Sequence, residues 1–595
     1  MGYESLEGVK VTNYLLRYVI PFSYDDKTAE DSYTYAVQKL KEAGWTLEER
    51  SQAESECYDY LKTIYTMAED DEENSNVVGS IWSMPWKKKE KVSICYQEEE
   101  IINGEKKQKK LLEGNISKAG IYLLKNKIGL FWYEVDLASE KYNITLDLLV
   151  EFQNRFKELA SHGDGIQIKL SGEFEVDKEY ILAENDNPTP HYKVVSFPKK
   201  DKKAKEEIKK KSYKIAKKAL IDHVDFLKSE DEIGSSLLNA ISYSKDGKEG
   251  LKLKYTITLA TSKLGVWISR KLAALDCEIS YYPNRNDGME EIIPDKAILF
   301  NYVAVEEVKK ERTAEGLKYA AYYLTKGYKR SYHPAKNFES EMKYPFENII
   351  WNVQKEGCGL YISYDEENKV FLIDGMKDRV ARDYFHLYMS LLQQSYILLK
   401  FSEEIATTIS TDKDEYRYRG TQVGKKLEDL QLRINLFLMK NIYASVGFTS
   451  QHNQFYTYAE QALNIKEDID ALNSGVGVLD ELLRRKEAEQ RVLEKEEEEK
   501  RRRQEAEQKA LEKEAEEEKS ARMQMAFSVL TVLSVLSMPK TLSEFFGVDI
   551  VDYINLADSW SGILLTIFYV VTICLFAFVL KHTLPVLKKF KKSSK

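Results

Sequence analysis

Short apolar runs alternate with polar residues along the first 400 or so positions of the chain. Runs with a two-residue period are typical of half-buried strands. They predict strands at Tyr14–Phe22, Gly120–Leu124, Gly129–Val135, Tyr255–Ala260, Ala297–Val303 and Val370–Ile373. Helical periodicity predicts helices at Ala29–Ala43, Leu146–Ala160 and Arg379–Ser410. The mixture indicates an α+β region with an N-terminal lobe over residues 1–195 and a second, sensor lobe over residues 231–410.

A lysine-rich segment, residues 196–230, lies between the two expected lobes. Its interrupted charge run favours a solvated helix or flexible linker. A face that attracts phosphate or RNA is the alternative interpretation.

The pattern then changes to a charged helical region, residues 411–522, which ends in a stalk helix. The stretch Leu482–Arg522 contains neither Gly nor Pro, and Glu496 to Glu499 each precede a basic residue by four positions. Each such pair stabilises a helix by about 0.2–0.5 kcal/mol. The stalk is interpreted either as a solvated spacer or as a rigid rod that runs into the next segment.

Two uncharged apolar runs follow the stalk and predict a membrane hairpin. The first transmembrane helix is placed at residues 523–547, an external loop at 548–561, the second helix at 562–580 and a basic cytosolic tail at 581–595. The second run, Gly562–Leu580, is roughly 28 Å long as a helix, enough for a bilayer core. The basic tail and the absence of an apolar signal-peptide core predict a two-pass membrane protein with both termini in the cytoplasm.

Hydroxyl side chains mark one side of the first run. Ser528, Thr531, Ser534 and Thr541 fall within ~140° of helical arc. Such a stripe lines a water path, or it hydrogen-bonds a neighbouring helix or its own backbone. A pore of this kind requires several copies around an axis.

The composition and the missing motifs argue against several classes of function. The net charge is −9, so bulk charge gives no reason to expect nucleic-acid binding. The five cysteines, Cys57, Cys95, Cys277, Cys358 and Cys574, form no CxxC pair, which predicts a reducing compartment and argues against a zinc site. Enzyme signatures such as HExxH, GxSxG or a P-loop are missing, so no catalytic residue and no enzymatic activity are expected, and any metal site is unknown.

Three stretches offer cations or aromatic rings to a small anionic ligand. The first holds Lys326, Tyr328, Lys329, Arg330, Tyr332 and His333. The second holds Trp351 and Asn352, ahead of Gly357-Cys358-Gly359, and the third holds Trp132, Tyr133 and Glu134 on an expected strand. For each stretch the alternative is that the aromatics fill a core and the glycines form turns.

The order of long charged helix, short apolar run, acidic loop, plain apolar run and basic end resembles the CorA family of divalent-cation channels. The tripeptide Gly547, Val548 and Asp549 follows Phe545-Phe546, where that family has Gly-Met-Asn after an aromatic pair. The resemblance covers roughly the last 170 residues and implies a CorA-like homo-oligomer, a pentamer, lined by the first helix. With Val and Asp in the tripeptide, a ring of Asp549 carboxylates favours cations without selecting magnesium.

The long N-terminal region makes the chain similar to the enlarged CorA-like effectors associated with type III CRISPR systems. That likeness implies a ligand-gated effector of antiviral defence in the bacterial inner membrane. It also implies opening by a nucleotide second messenger, with an S-adenosylmethionine–AMP adduct as the suspected ligand. The expected partners are further copies of the chain, the lipid bilayer and the nucleotide, without direct nucleic-acid binding and with no certain cofactor. The alternatives are a constitutive transporter of Mg2+ or other divalent cations and a membrane-tethered nucleotide-processing enzyme.

Overall fold

The computed structural model describes most of the chain in two units, Met1–Leu479 and Asp480–Lys595. The described residues are 3–26, 31–48, 78–86, 90–102, 105–159, 166–177, 237–245, 248–259, 262–285, 292–307, 310–329, 331–408, 420–441, 445–546, 563, 566–568, 570–578 and 581. The basic segment 196–230, Arg330, the tripeptide Gly547, Val548 and Asp549 and the loop 548–561 lie outside them, as does the tail after Lys581.

A mixed β-sheet forms the centre of the first unit, and fourteen strands of the described residues join it. The strands are β1 (Val11–Asp25), β2 (Thr46–Leu47), β3 (Gly79–Ser83), β4 (Lys91–Ile102), β5 (Glu105–Leu124), β6 (Ile128–Leu137), β7 (Ile166–Asp177), β8 (Leu237–Lys245), β9 (Lys248–Leu259), β10 (Glu278–Tyr281), β11 (Asn284–Arg285), β12 (Ile293–Pro294), β13 (Ile298–Glu306), β14 (Met342–Phe346), β15 (Ile349–Gln354) and β16 (Gly357–Tyr364). Strands β11 and β12 pair separately.

The sheet order is β14-β15-β16-β13-β1-β6-β5-β4-β7-β9-β8, with β10 on β1 and β3 on β5. Strand β1 lies at the centre, antiparallel to both β6 and β13, and its Tyr18 faces Tyr133 on one side and Leu299 on the other. Strands β13 and β16 are parallel. The sheet thus joins strands from both sides of the lysine-rich segment.

The helices of the described residues are α1 (Ser32–Glu42), α2 (Leu146–Phe156), α3 (Ser262–Leu272), α4 (Lys310–Lys326), α5 (Met376–Arg379), α6 (Phe385–Thr408), α7 (Gly420–Asn441), α8 (Ser450–Ala462) and α9 (Ile465–Phe546). Two π-helical segments, Phe371–Gly375 and Val380–Tyr384, flank the short α5. Asp31 caps the N-terminus of helix α1, because its carboxylate accepts a hydrogen bond from the Tyr33 amide.

Aromatic side chains fill the core between the sheet and helix α2. Tyr18 and Tyr133 stack with their centroids 5.1 Å apart, and Phe156 meets Tyr18 edge-on at 4.9 Å. A Cβ on Gly129 would lie 2.2 Å from the ring of Phe22. The glycine therefore lets that ring lie flat on strand β6.

Three of the six expected strands lie within β1, β5 and β6, and two more, Tyr255–Ala260 and Ala297–Val303, overlap β9 and β13. The three expected helices overlap α1, α2 and the α5–α6 stretch. The strand expected at Val370–Ile373 is wrong, because Phe371–Gly375 is π-helical. Val370 is 78% exposed whereas Leu372, two positions later, is 5% exposed. Burial in this run therefore does not follow the two-residue period of a strand.

Helix α9 is continuous over 82 residues from Ile465 to Phe546. In its charged stretch, Arg502 pairs with Glu498 at 2.9 Å and Arg522 with Glu518 at 2.6 Å, each pair four residues apart. Such pairs support a helix without burial, although each exposed pair is worth only a few tenths of a kcal/mol, roughly.

The expected membrane hairpin is wrong. Within the described ranges, no helix is both long enough and apolar enough to cross a membrane. The first apolar run has charged residues directly at its ends, Arg522 and Lys540, within helix α9, and it is shorter than the ~20 apolar residues of a typical span. The predicted fold class with its two-helix hairpin is therefore replaced by a mixed α/β protein with one large sheet and a long charged helix.

Two further expectations, the localisation and the membrane assignments, fall with the hairpin. The two-pass inner-membrane localisation and the assignments as a membrane protein and ion channel are corrected by the same finding. The hydroxyls of Ser528, Thr531 and Ser534 donate to the backbone carbonyls of Gln524, Phe527 and Leu530, at 2.8, 2.7 and 2.8 Å. The expected pore stripe thus bonds to its own helix. Thr541 belongs to α9, but its side chain is outside the described part.

Candidate functional site

The turn after helix α4 brings part of the first expected ligand stretch together. Lys326 is the last residue of α4, and Gly327 follows in the left-handed region with φ +58, as is common just past a helix end. Lys157 Nζ donates to the Lys326 carbonyl at 2.5 Å. A Cβ on Gly327 would lie 2.6 Å from Lys157 Cδ, so glycine is required both for the turn and for this lysine.

Three tyrosine rings rise from the core to the surface at this turn. Tyr322 and Tyr328 have centroids 5.9 Å apart, and Tyr328 and Tyr332 have centroids 5.8 Å apart. Lys326 Nζ lies 4.9 Å from the Tyr322 ring and 5.9 Å from the Tyr328 ring, within cation–π range. Tyr332 is 60% exposed. We call Tyr322, Lys326, Tyr328, Lys329 and Tyr332 the Tyr328 cluster.

Charge in the Tyr328 cluster is partly neutralised. Lys326 pairs with Glu341 at 2.8 Å, and the Tyr328 hydroxyl donates to Glu356 at 3.4 Å. Burial, helped by the Glu356 carboxylate, raises the pKa of Tyr328, and burial lowers the pKa of Lys157. Lys329 is exposed, whereas Lys326 is partly buried.

The other members of the first stretch are less clearly placed. His333 is exposed two residues before Ala335 in an irregular loop, and Arg330 lies outside the described residues. The structure therefore groups Lys326, Tyr328 and Tyr332 through measured ring contacts and leaves His333 on the surface nearby.

The second expected stretch lies in the core. Trp351 is 2% exposed and meets the Phe455 ring of α8 edge-on at 5.5 Å. Asn352 is 1% exposed, and its Nδ2 donates to the Ala321 carbonyl of α4 at 2.8 Å. Cys358 is fully buried. These side chains fix helices α4 and α8 to the sheet.

The third expected stretch lies on β6 and is also structural. Glu134 is ion-paired with Arg17 at 2.9 Å, while Trp132 and Tyr133 are 7% and 0% exposed. The guanidinium carbon of Arg17 lies 4.9 Å from the Trp132 ring centroid. The cluster therefore holds strands β1 and β6 together in the interior.

One tyrosine links the Tyr328 cluster to the following helices. The Tyr458 hydroxyl, on α8, donates to the Glu341 carbonyl at 2.5 Å and accepts from the Val353 amide at 3.3 Å. Glu341 is the residue that holds Lys326. Two residues after α8 ends, Asn464 takes a left-handed φ of +57 and α9 begins. The cluster is thus two contacts away from α8.

Sequence reasoning missed a concave site elsewhere in the first unit. It has a volume of about 580 Å³ and is lined by Ser23, Ser280, Tyr281, Tyr282, Pro283, Lys400, Glu403, Glu404 and Thr407. These residues come from three distant parts of the chain, so no local motif could reveal it. The only sequence signal is the spacing of the four α6 residues, which puts them on one helix face.

No group of three or more His, Cys, Asp or Glu residues is placed to hold a metal ion, as far as the described residues extend. The Gly547, Val548 and Asp549 tripeptide, which the CorA resemblance places at a pore mouth, is outside that part. The CRISPR-associated and second-messenger assignments gain no support from the fold.

Comparisons with protein-family models, curated proteins and solved structures found no match to this chain. The resemblance to the CorA family stays a prediction.

Proposed function

We propose that this protein is a nucleotide-responsive effector whose first unit binds the ligand at the Tyr328 cluster. The exposed ring of Tyr332 can stack on a base. The exposed ammonium of Lys329, three residues earlier, attracts phosphate. Stacking of a base on an aromatic side chain is worth about 1–3 kcal/mol, and an ammonium group is a common phosphate partner.

The observation that carries the proposal is the link from Lys326 through Glu341 to the Tyr458 hydroxyl on α8. A phosphate near Lys326 competes with Glu341 for the ammonium that now pairs with it at 2.8 Å. Movement of Glu341 changes the 2.5 Å hydrogen bond from Tyr458 to its carbonyl and so acts on α8. A ligand shifts such an equilibrium only by the difference in its affinity for the two arrangements.

Binding is measured first, by calorimetry on the purified full-length chain. The probes are AMP, ATP and the S-adenosylmethionine–AMP adduct. Tyr332→Ala and Lys329→Ala are each expected to weaken binding at least tenfold, because each removes one of the two recognising groups. Lys336→Ala, which removes another exposed lysine of the same loop, is the matched control and keeps wild-type affinity. Absence of saturable binding for every probe, or equal loss in the control, contradicts the proposal.

The effect of nucleotide binding on helix α8 is measured separately, by hydrogen exchange with and without a nucleotide that binds. Ligand is expected to change amide protection in α8 in the wild type. Tyr458→Phe removes the bridging hydroxyl, so it retains nucleotide affinity but loses that change. Tyr344→Phe removes a hydroxyl that donates to Met342 Sδ at 3.7 Å, and this control variant keeps the change. An unchanged response in Tyr458→Phe refutes the coupling route while leaving the binding site intact.

A second proposal concerns assembly of the effector from copies of the chain. Met523, Phe527 and Leu530 of α9 are 55%, 65% and 59% exposed, at spacings of four and three residues. That spacing is the seam by which like helices pack side by side. Light scattering is expected to give a multiple of 69.0 kDa for the wild type and a smaller mass for Leu530→Glu. Leu511→Glu, at a 66% exposed site within the charged stretch, is the control. A monomeric wild type refutes assembly.

A further inference from the structure

We propose that the concave site between β10 and helix α6 binds a small zwitterion that carries both a carboxylate and an ammonium group, of the free amino acid class. This site is separate from the Tyr328 cluster and does not depend on the nucleotide proposal. Its volume of about 580 Å³ falls within the 300–1,000 Å³, roughly, that small-molecule sites occupy.

The floor of the site is built from paired strands. Ser23 of β1 and Ser280 of β10 are directly opposite each other in the antiparallel register, so their hydroxyls lie on the same face of the sheet. Tyr281, Tyr282 and Pro283 follow along the same edge. The Tyr282 ring is supported from behind by Tyr396 of α6, at a centroid distance of 5.6 Å.

The wall of the site is one face of α6. Lys400, Glu403, Glu404 and Thr407 line it at positions i, i+3, i+4 and i+7, which are neighbours on a helix surface. The wall therefore offers one ammonium, two carboxylates and a hydroxyl within two turns.

Only two of these three charges are open to a ligand. Glu404 is occupied, because Arg433 of α7 pairs with it at 2.6 Å. Glu403 is exposed, and no cation of the described residues forms an ion pair with it. Lys400 is held by the turn between β5 and β6, where Nζ donates to the carbonyls of Asn126 and Lys127 at 3.3 and 3.5 Å.

An ammonium has three donors, so Lys400 retains one N–H for a carboxylate in the site. Glu403, one turn further along α6, accepts from a ligand ammonium. A doubly charged anion is disfavoured by Glu403 and Glu404, and a simple cation is disfavoured by Lys400. A zwitterion satisfies both open charges, and its apolar part packs on Tyr282 and Pro283.

Protonation of Lys400 makes this recognition pH-dependent. Burial lowers the pKa of Lys400 to about 8. The charged groups that face it are Asp25 of β1, Lys127 of the β5–β6 turn, Glu404 of α6 and Arg433 of α7. Carboxylate binding is therefore expected to weaken as the pH rises above 8, since the amine loses its charge.

The test uses three probes of the same shape on the full-length chain: L-phenylalanine, 3-phenylpropionate and phenethylamine. The second probe lacks the ammonium and the third lacks the carboxylate. Calorimetry at pH 7 is expected to give saturable binding of L-phenylalanine at least tenfold tighter than either relative. L-leucine and glycine are tested beside it to cover smaller side chains.

Two variants test whether Glu403 binds the ligand ammonium and Lys400 binds the ligand carboxylate. Glu403→Gln, at an exposed position that folding does not depend on, is expected to reduce the preference for L-phenylalanine over 3-phenylpropionate to less than threefold. Lys400→Met is expected to abolish carboxylate-dependent binding. Ser402→Ala, next to the wall with a hydroxyl bonded to the Leu398 carbonyl, is the control and binds as the wild type does.

Two results would overturn the proposal. One is the absence of saturable binding for all the amino acids tested. The other is binding of L-phenylalanine that Glu403→Gln leaves unchanged relative to 3-phenylpropionate. Failure here leaves nucleotide binding at the Tyr328 cluster unaffected, because the two sites share no residue.

Discussion

Arg17 and Glu134 face each other across strands β1 and β6 and form a buried ion pair, with Nε and Nη2 of the arginine each 2.9 Å from Glu134 Oε2. The third arginine nitrogen, Nη1, donates to the Ala381 carbonyl at 2.6 Å. The guanidinium also lies 4.3 Å from the Phe385 ring centroid. One side chain thus ties the centre of the sheet to the π-helical segment ahead of α6.

Removing one partner of this pair is expected to be strongly destabilising. Glu134→Gln leaves the Arg17 charge buried without compensation, so it should lower the free energy of unfolding by about 3–5 kcal/mol. Urea denaturation measures the change. Lys369→Ala, which breaks a surface pair with Glu366, is the control and should cost less than about 1 kcal/mol. Equal effects of the two variants would show that Arg17 is solvated.

Gly327 and Gly477 give opposite expectations for the same substitution. Gly327→Ala places a Cβ 2.6 Å from Lys157 Cδ at a φ of +58, so it should destabilise the protein by about 1–3 kcal/mol. Gly477→Ala meets nothing within 4 Å inside helix α9 and should stabilise that helix by roughly 0.5–1 kcal/mol. Thermal unfolding measures both, and a stabilised Gly327→Ala would contradict the turn geometry.

Thiol reactivity is expected to follow exposure. Burial raises the pKa of the Cys358 thiol, and burial together with nearby aspartates raises that of Cys277 to about 11. Iodoacetamide on the native protein should therefore label the exposed Cys574 first, Cys277 slowly and Cys358 only after denaturation. Peptide mapping separates the sites. Labelling of Cys277 should rise about tenfold per pH unit between pH 8 and 10, since the thiolate reacts.

Lys400 should make the protein more stable at alkaline pH. Its pKa is about 8 in the folded chain, whereas a free lysine titrates near about 10.4. Between these values the unfolded chain binds more protons, so the free energy of unfolding rises with pH. Below pH 8 both states are charged and the cost of burying the ammonium is present in full.

The measurement is the urea midpoint from pH 7 to 10.5. Lys400→Met should flatten the rise, because it removes the group that titrates. Lys336→Met, at an exposed lysine, should leave the rise unchanged. A parallel rise in wild type and Lys400→Met would assign the effect to other groups.

Local pattern was sufficient for most individual elements. The apolar runs Tyr14–Phe22 and Gly129–Val135 lie within β1 and β6. Both strands are buried along most of their length, and a short continuous apolar run is typical of such a strand. The period was misleading at Val370–Ile373, where the chain is π-helical and Val370 and Phe371 are exposed while Leu372 is buried. It also misled where a long charged helix contains an apolar stretch, since apolar content alone does not make a membrane span.

The amino-acid sequence by itself determined which segments form most of the helices and strands, including the continuous charged helix α9. It also determined the tyrosine-rich turn at Lys326 to Tyr332, because such local features depend on neighbours in the chain. Only the tertiary structure decided that Trp351 and Asn352 are core residues and that Arg17 meets Glu134. It alone brought Ser23, Ser280 and Lys400 to one concave site. Such contacts join residues far apart in the chain, 31 positions for Asn352 and Ala321 and 117 for Arg17 and Glu134. Their energies depend on burial, which no local spacing encodes.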